Sequence, residues 1–255
     1  MTAAMAIHDF NAQRLWLESP LTEGGEIAVT REQSNYLRNV MRLNDGDEIL
    51  VFNGQDGEWR ARLMTIGKRD ATLQIERQTR PQTPPSQLIY MFAPLKRARL
   101  DYMVQKAVEL GAGRLSPIIT RRTIAERINL DRVRANAIEA AEQCGILGIP
   151  EIDAPVKLEA RLSDWPADVP LIFCDEGAPI ASPAAALSNL AERSPDRLRI
   201  SILIGPEGGF DDAERAMLMR QPFVTALSLG PRIMRADTAA VAALALVNAV
   251  LGDWR

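Results

Sequence analysis

The feature that most constrains the fold is a change of hydrophobic pattern at the stretch RPQTPPSQ, residues 80–87. Before it, short runs alternate apolar and polar residues, at 14–18, 47–52, 58–66 and 71–76. After it, unbroken apolar runs alternate with helical patterns, at 88–93, 171–176 and 199–205. Unbroken apolar strands between helices indicate a parallel sheet covered on both faces, and a proline-rich polar stretch can continue neither a helix nor a central strand.

These patterns predict an α/β chain with three parts: a small β domain over residues 1–80, a linker over 81–87 and an α/β domain over 88–255. Turn sequences such as NDGDE (44–48) separate the N-terminal strands, and one helix is expected around residues 32–41. Asp211 is the predicted N-cap of the helix that follows it. Beyond the linker, the periodicity predicts helices over 99–111, over 130–143, after Asp211 and over 236–251, and further strands at 114–119 and 225–230.

Composition argues against several classes of protein. The single histidine, His8, argues against a Ser-His-Asp triad and against a histidine zinc site, and no metal is expected. Cys144 and Cys174 show no metal-ligand spacing and are predicted to be reduced, buried thiols of a cytosolic protein. No signal peptide is visible, and the longest uncharged apolar run, 238–252, is shorter than the ~20 residues of a membrane span.

Charge is unevenly distributed along a chain whose net charge is -3. Residues 96–134 carry ten basic and four acidic side chains, a locally basic segment. Such a segment could meet phosphates, although a solvated helical surface is an equally open interpretation. The candidate phosphate-binding residues of this segment are Lys96, Arg97, Arg99, Arg121 and Arg122.

Two Gly-Pro bends follow predicted strands, in LIGPEGGF (203–210) and in LSLGPRIMRADTAAVAAL (227–244). Ligands of α/β sheets lie outside the carboxyl ends of the strands, and glycine lets the backbone approach them. We therefore expect the two bends to lie side by side at one ligand site. Glu207, Arg232 and Arg235 would lie close to that site. The alternatives are ordinary glycine-rich turns and, for Arg235, an ion pair with Asp237 or Glu207.

Together these motifs resemble the RsmE family, the 16S ribosomal RNA uridine-N3 methyltransferases of the SPOUT class. The stretch YLRNVMRLNDGDEILVFNGQDGEWRARL (36–63) is similar to the family's N-terminal PUA-like domain. APLKRARLDYMVQKAVELG (93–111) and EAAEQCG (139–145) match further family patterns. The chain departs from the family at Ile146, where relatives commonly have arginine, at Asn35-Tyr36, where a histidine is frequent, and at Asp237, where many have glutamate.

The resemblance implies a SPOUT domain, a parallel sheet with a deep trefoil knot, preceded by a small PUA-like, RNA-binding β-barrel domain. It implies a homodimeric, cytoplasmic enzyme that transfers a methyl group from S-adenosylmethionine to N3 of a specific uridine in the 16S rRNA of the small ribosomal subunit. The main chain of both bends would bind the cofactor. The implied cofactor-binding residues are Leu203, Ile204, Gly205, Pro206, Glu207, Gly208, Leu227, Leu229, Gly230, Ile233 and Met234.

Uracil N3 is protonated at neutral pH, so the reaction needs a base or a cation that stabilises the developing anion. Arg235 or Arg232 is the candidate cation, and Glu207 is a candidate proton acceptor or a group that orients an arginine. Arg38 and Arg42, four residues apart and so on one side of the predicted helix, are candidate RNA-binding residues, with surface solubility as the alternative.

The last helix, 238–251, is apolar on nearly every face, which indicates either a subunit interface or a fully internal helix. Two other functions stay open at this point. One is a non-catalytic RNA-binding factor in ribosome assembly, and the other is a SPOUT ribose 2′-O-methyltransferase.

Overall fold

The computed structural model describes residues 12–66, 70–124, 127–179, 182–193 and 199–254, which form two compact units. The first unit contains the residues up to Pro85 together with Ala141–Ile149, and the second contains Ser86–Ala140 and the residues from Pro150 onward. Nothing in the sequence pattern predicts that Ala141–Ile149 belongs with the first unit. His8 lies outside the described residues.

The described part of the first unit contains a five-stranded sheet in the order β1-β3-β4-β5-β2. Its strands are β1 (Arg14–Trp16), β2 (Glu26–Ala28), β3 (Glu48–Phe52), β4 (Glu58–Ile66) and β5 (Asp70–Arg80). β1 and β3 pair in parallel, and the other pairs are antiparallel. Alternating residues such as Leu63, Leu73 and Ile75 point into one core, as the period of the sequence predicts.

A short helix, α1 (Arg31–Asn35), begins with a capping box. Thr30 Oγ1 accepts the N–H of Gln33 at 3.1 Å, and Gln33 Oε1 accepts the N–H of Thr30 at 3.0 Å.

The α-helix predicted around residues 32–41 is wrong in its second half, where Tyr36–Val40 form a π-helical turn. The N–H of Met41 donates to the oxygen of Tyr36 at 2.9 Å, five residues back. Arg42 then takes the left-handed conformation, with φ 59°, that ends many helices. Because Arg42 lies beyond the helix, it does not share a helical face with Arg38 as the spacing predicts.

A buried ion cluster explains why Ala141–Ile149 belongs to the first unit. Arg14 Nε and Arg80 Nη2 lie 2.9 and 2.7 Å from Glu58 Oε2. Arg14 also donates from Nη1 to the oxygen of Ala141 at 2.5 Å and from Nη2 to that of Ile146 at 2.9 Å. The last bond uses a main-chain oxygen, so it does not depend on the side chain at position 146.

The described part of the second unit contains a seven-stranded sheet in the order β12-β10-β11-β6-β7-β8, with β9 paired to β7. Its strands are β6 (Leu88–Phe92), β7 (Arg114–Ile119), β8 (Glu151–Ile152), β9 (Val156–Lys157), β10 (Leu171–Cys174), β11 (Ile200–Ile204) and β12 (Val224–Leu227). Every pair is parallel, which confirms the predicted parallel sheet. The knot implied by the family resemblance stays a prediction.

The helices after the linker are α2 (Arg97–Glu109), α3 (Leu130–Gln143), α4 (Leu158–Ser163), α5 (Pro183–Arg193), α6 (Asp212–Met219) and α7 (Ala236–Val250). Asp211 is the N-cap of α6, as predicted, and forms a capping box with Glu214. Four of the six helices lie where the periodicity places them, whereas α4 and α5 were not predicted. None of the described helices has the length and apolar character needed to cross a membrane.

Candidate functional site

Three parallel strands end at the same level of the sheet, which places both Gly-Pro bends at one edge. Phe173 on β10 pairs with Leu203 on β11 and with Ala226 on β12. The two strands that carry the bends are not neighbours, because β10 lies between them, and the expectation that the bends themselves lie side by side stays a prediction. At roughly 4.8 Å per strand, the strand ends are about 10 Å apart.

The first bend belongs to a loop that we call the β11 loop, Gly205–Asp211. A turn closes within it, where the N–H of Gly209 donates to the oxygen of Pro206 at 2.9 Å. A Cβ at Gly205 would lie 2.5 Å from the ring of Phe210, which packs edge-on against Phe173 at 5.1 Å between centroids. Gly205 is therefore required by the packing of Phe210, and not only by the approach of a ligand.

Two arginines of the basic segment bind this loop. Arg121 Nη1 lies 2.7 Å from Asp211 Oδ2, and its main-chain N–H donates to Glu214 Oε1 at 2.8 Å. Arg122 Nη1 donates to the oxygen of Gly208 at 2.8 Å. The N–H of Glu214 and the guanidinium of Arg121 both lower the pKa of Asp211. Both arginines, expected to bind RNA phosphates, thus have partners within the protein.

Glu207 lies beside a third cation of the basic segment. Arg99 Nη1 is 3.8 Å from Glu207 Oε1, and both side chains are about one-third exposed. The nearest charged partner of Glu207 in the described structure is therefore Arg99.

The second bend belongs to the β12 loop, Ser228–Arg235. Gly230 has φ 110°, with open space where a Cβ would lie, and its N–H donates to Ser228 Oγ at 3.3 Å. Arg232 and Arg235 are exposed, and neither forms an ion pair with any residue that the structure describes. The alternative pairing of Arg235 with Asp237 or Glu207 is thus not formed. Ile233 is 89% exposed at this edge.

Sequence reasoning missed Asp175, which follows β10 between the two loops and is buried. Its N–H donates to the oxygen of Leu227 at 3.0 Å, and its Oδ2 accepts from Arg215 Nε at 2.9 Å. The available signal was the run LIFCDE, because the rule that located the two bends also applies to an acid at the end of a buried strand.

The implied cofactor-binding residues fall into two groups. Leu203, Ile204 and Leu227 have side chains buried in the core, so only their main chain could contact a ligand. The others line the two loops, where Pro206 is buried, Gly205, Leu229, Gly230 and Met234 are half-buried, and Glu207, Gly208 and Ile233 are exposed. Main-chain groups and apolar side chains are the chemistry that a nucleoside linked to methionine requires, so these residues fit that cofactor.

In the first unit, a groove of about 800 Å³ surrounds the π-helical turn. It is lined by Arg31, Ser34, Asn35, Arg38, Asn39, Leu43, Asn44 and Asp45. Arg38 Nε is buried and has no hydrogen-bond partner in the described part of the chain. In the second unit, Lys96 and Arg97 are exposed at the start of α2.

The two cysteines differ in exposure. Neither forms a disulfide, but Cys144 is exposed and Cys174 is only half-buried, so the prediction that both residues are buried is wrong. Cys144 follows the last turn of α3, where the chain reaches the surface. Within the described ranges, no group of three or more histidine, cysteine, aspartate or glutamate residues could hold a metal ion.

Known proteins match nearly the whole chain. The RNA methyltransferase domain family matches residues 82–248, and the RNA methyltransferase PUA domain family matches residues 29–76. A ribosomal RNA small subunit methyltransferase E from Synechocystis sp. is 30% identical over 230 residues, which cover 88% of this chain and 73% of the relative. The protein of the same name from Rickettsia conorii is 29% identical over 236 residues, which cover 92% and 94%.

A crystal structure of ribosomal RNA small subunit methyltransferase E from Neisseria gonorrhoeae, bound to S-adenosyl methionine, has the same fold. It matches with a TM-score of 0.82 at 25% identity and covers 96% of this chain and 100% of that chain. The domain match, the relatives that match over most of their length and the shared fold agree. The chain belongs to the ribosomal RNA small subunit methyltransferase E family.

Proposed function

We propose that the protein transfers a methyl group from S-adenosylmethionine to N3 of a uridine in the 16S rRNA of the small ribosomal subunit. The observation that carries the proposal is the β12 loop, which presents Arg232, Ile233 and Arg235 to solvent at the ligand-binding edge of a parallel sheet. The N. gonorrhoeae relative with the same fold was crystallised with S-adenosyl methionine, which supports this choice of cofactor.

The β11 and β12 loops hold the cofactor through main-chain groups and through the apolar side chains of Leu229, Ile233 and Met234. When bound, the cofactor supplies an electrophilic methyl group on a sulfonium. The protein contributes a fixed position for the uracil next to that methyl group, since alignment of the reacting groups is a large part of catalysis.

The arginines of the β12 loop stabilise the uracil as its N3 proton leaves. A guanidinium near O2 or O4 lowers the energy of the anion, and its donors are already oriented before reaction. Arg235 is the first candidate because it immediately precedes α7, whose N-terminal dipole adds to the positive potential there. Glu207, beside Arg99, accepts the proton or orients a guanidinium.

RNA binds on basic side chains of both units. Arg38 reaches the groove of the first unit, where amide side chains could contact a base edge and the guanidinium a phosphate. Lys96 and Arg97 offer exposed charge in the second unit. A uridine within structured RNA must leave its stack to reach the cofactor.

Arg42 permits a clean test of RNA binding, because its φ of 59° suits glycine. Arg42→Gly removes the guanidinium and keeps the backbone conformation. We expect weaker RNA binding with an unchanged melting temperature. Wild-type affinity in this variant would show that Arg42 serves only surface solubility.

The protein is proposed to act in the cytoplasm, where ribosomes are assembled, and as a homodimer. Val241, Ala242 and Leu246 on α7 are apolar and only half-buried within one chain. A second copy would cover them. Light scattering coupled to gel filtration measures the mass directly, and a monomer at micromolar concentration would remove the dimer from the proposal.

One assay tests the function. The protein is incubated with labelled S-adenosylmethionine and with either small ribosomal subunits or naked 16S rRNA, and the nucleosides are identified by mass spectrometry. We expect N3-methyluridine. Transfer to a ribose hydroxyl would make the protein a 2′-O-methyltransferase, and no transfer on either substrate would favour a non-catalytic assembly factor.

A further inference from the structure

We propose that Arg121, Arg122 and Glu214 fix the β11 loop in its cofactor-binding conformation, and that they are positioning residues rather than phosphate contacts. We call these three residues the loop anchor. This inference rests on the proposed function, because it assigns the β11 loop to the cofactor.

The loop anchor begins with a tight turn after β7. The N–H of Thr120 donates to Thr123 Oγ1 at 2.9 Å, and the two threonine hydroxyl oxygens are also 2.9 Å apart. The N–H of Thr123 donates back to the oxygen of Thr120 at 3.2 Å. Arg121 and Arg122 occupy the two central positions of this turn. The hydrogen bonds of Thr120 and Thr123 therefore fix the backbone from which both arginine side chains extend.

Arg122 contacts the centre of the β11 loop. Its Nη1 donates to the oxygen of Gly208 at 2.8 Å. Its Cβ and Cδ would lie 3.5 and 3.6 Å from a Cβ on Gly208, so the aliphatic stem also packs against the loop. These contacts hold the Arg122 side chain against the β11 loop, and the Gly208 oxygen takes one of the five N–H donors of its guanidinium.

Glu214 joins the two segments through one carboxylate. The side chain is only 1% exposed. Oε1 accepts the N–H of Arg121 at 2.8 Å, and Oε2 accepts the N–H of Asp211 at 3.2 Å. Hydrogen bonds to an ionised acceptor are stronger than neutral ones. The buried carboxylate therefore holds the end of the β11 loop to the turn after β7, while Arg121 Nη1 adds the ion pair with Asp211.

A loop that must be ordered before it binds has an apparent affinity proportional to its ordered fraction. If Arg122→Ala leaves the loop ordered in about one molecule in ten, the cofactor binds about tenfold more weakly. Arg122→Lys keeps a donor for the Gly208 oxygen and should restore part of the affinity. Arg122 is not one of the proposed cofactor-binding residues, so neither substitution removes a proposed side-chain contact with the cofactor.

The first experiment measures binding of S-adenosylhomocysteine, the demethylated product, by calorimetry, and RNA binding as a function of salt. For Arg122→Ala we expect about tenfold weaker product binding and an unchanged salt slope. Arg97→Ala is the matched control, an exposed cation from the same basic segment, and should leave product binding at the wild-type value. The inference is overturned if Arg122→Ala binds the product like wild type and its salt slope falls by about 0.7–0.9, the value of one lost phosphate contact.

The second experiment needs no ligand and separates this inference from the proposed function. Hydrogen exchange at the amide of Gly209, which is bonded to Pro206, should be faster in Arg122→Ala and in Glu214→Gln than in wild type. Unchanged exchange in both variants would show that these residues do not order the loop. A wild-type protein that binds no product would contradict the proposed function, while the exchange result would still decide on the loop anchor.

Discussion

At the residue scale, the charged side chains around the β11 loop have partners that lie far away in the sequence. The ends of β11 and β12 and the Gly-Pro turns after them were predictable, because strand ends and backbone turns follow from local chemistry, whereas their role in binding the cofactor stays a prediction. The partners of the charged residues did not follow, because an ion pair joins residues far apart in sequence. Arg121 with Asp211 and Arg99 with Glu207 are such cases.

Arg235→Ala should lower kcat by about 10²–10³, the usual cost of removing one oriented donor to a developing anion. Binding of S-adenosylhomocysteine should change little, because we propose that the cofactor is held mainly by main-chain groups. Arg235 makes no side-chain hydrogen bond at the start of α7, so the variant should also fold normally. Steady-state kinetics and calorimetry measure the two effects.

Arg235→Lys is the control for that experiment, since it keeps the charge but loses the planar pair of donors. We expect an intermediate kcat. If alanine weakens product binding as much as it lowers kcat, Arg235 binds the cofactor and Arg232 becomes the candidate cation.

The two thiols should react at very different rates. Burial raises the pKa of the Cys174 thiol to about 12, so at pH 8 it stays protonated and is a poor nucleophile. Cys144 is exposed. With Ellman's reagent we expect one fast thiol in the folded protein, which disappears in Cys144→Ser, and a second only on unfolding. A fast thiol that persists in Cys144→Ser would show that the Cys174 thiol is accessible to the reagent in the folded protein.

At the element scale, regular patterns were reliable and irregular ones were not. Helix α2 buries Leu100, Val104 and Val108 on the face that its period predicts. The π-helical turn after α1 could not be predicted, because its residues have no periodicity that distinguishes a five-residue from a four-residue turn. The π-helical turn ends before Arg42, which takes a left-handed conformation that is usual for glycine.

Gly205→Ala should destabilise the second unit by about 1–3 kcal/mol, the usual cost of overpacking. The new methyl group would lie 2.5 Å from the ring of Phe210 and would displace it from Phe173. Gly208→Ala is the matched control in the same loop, because its Cβ would meet Arg122 at an ordinary 3.5 Å. Urea unfolding of both variants measures the difference, and equal stabilities would show that the Phe210 ring moves aside easily.

At the scale of the whole molecule, fold class was predictable and topology was not. Short, mainly apolar runs such as Leu171–Cys174 and Ile200–Ile204, set between helical patterns, indicate strands buried on both faces, which favours a parallel sheet. Their order in the sheet depends on crossovers that periodicity does not record, so β10 between the two bends was missed. The grouping of Ala141–Ile149 with the first unit was missed for a similar reason, since it depends on Arg14, more than a hundred residues away.

Glu58→Gln should lower the free energy of unfolding by roughly 3 kcal/mol, because it removes the buried carboxylate that pairs with both Arg14 and Arg80. Glu48→Gln is the control, since Glu48 pairs with Arg60 and Arg62 at the surface. Chemical unfolding at pH 7 compares the variants. Similar losses of unfolding free energy in both variants would show that the buried ion pairs of Glu58 stabilise the protein no more than the surface pairs of Glu48.

The Glu58 effect should also depend on pH. Burial acts to raise the pKa of Glu58, but bonds from Arg80 and Arg14 outweigh it, so the pKa lies below its ordinary value. The stabilisation is thus fully present above the unfolded pKa, about 4.3, and is lost as the pH falls through the folded pKa. The gap between wild type and Glu58→Gln should narrow below pH ~4, and a gap that widens there would contradict this pairing.

The two arginines of the loop anchor should have different histories among diverging relatives. Arg122 binds the oxygen of a peptide group, which every residue possesses, so a change of side chain at position 208 leaves its partner in place. Arg121 binds the carboxylate of Asp211, so a lineage that loses either charge removes the benefit of keeping the other. In an alignment of relatives, substitutions at positions 121 and 211 should therefore occur together. An arginine at position 122 should persist whichever residue occupies position 208.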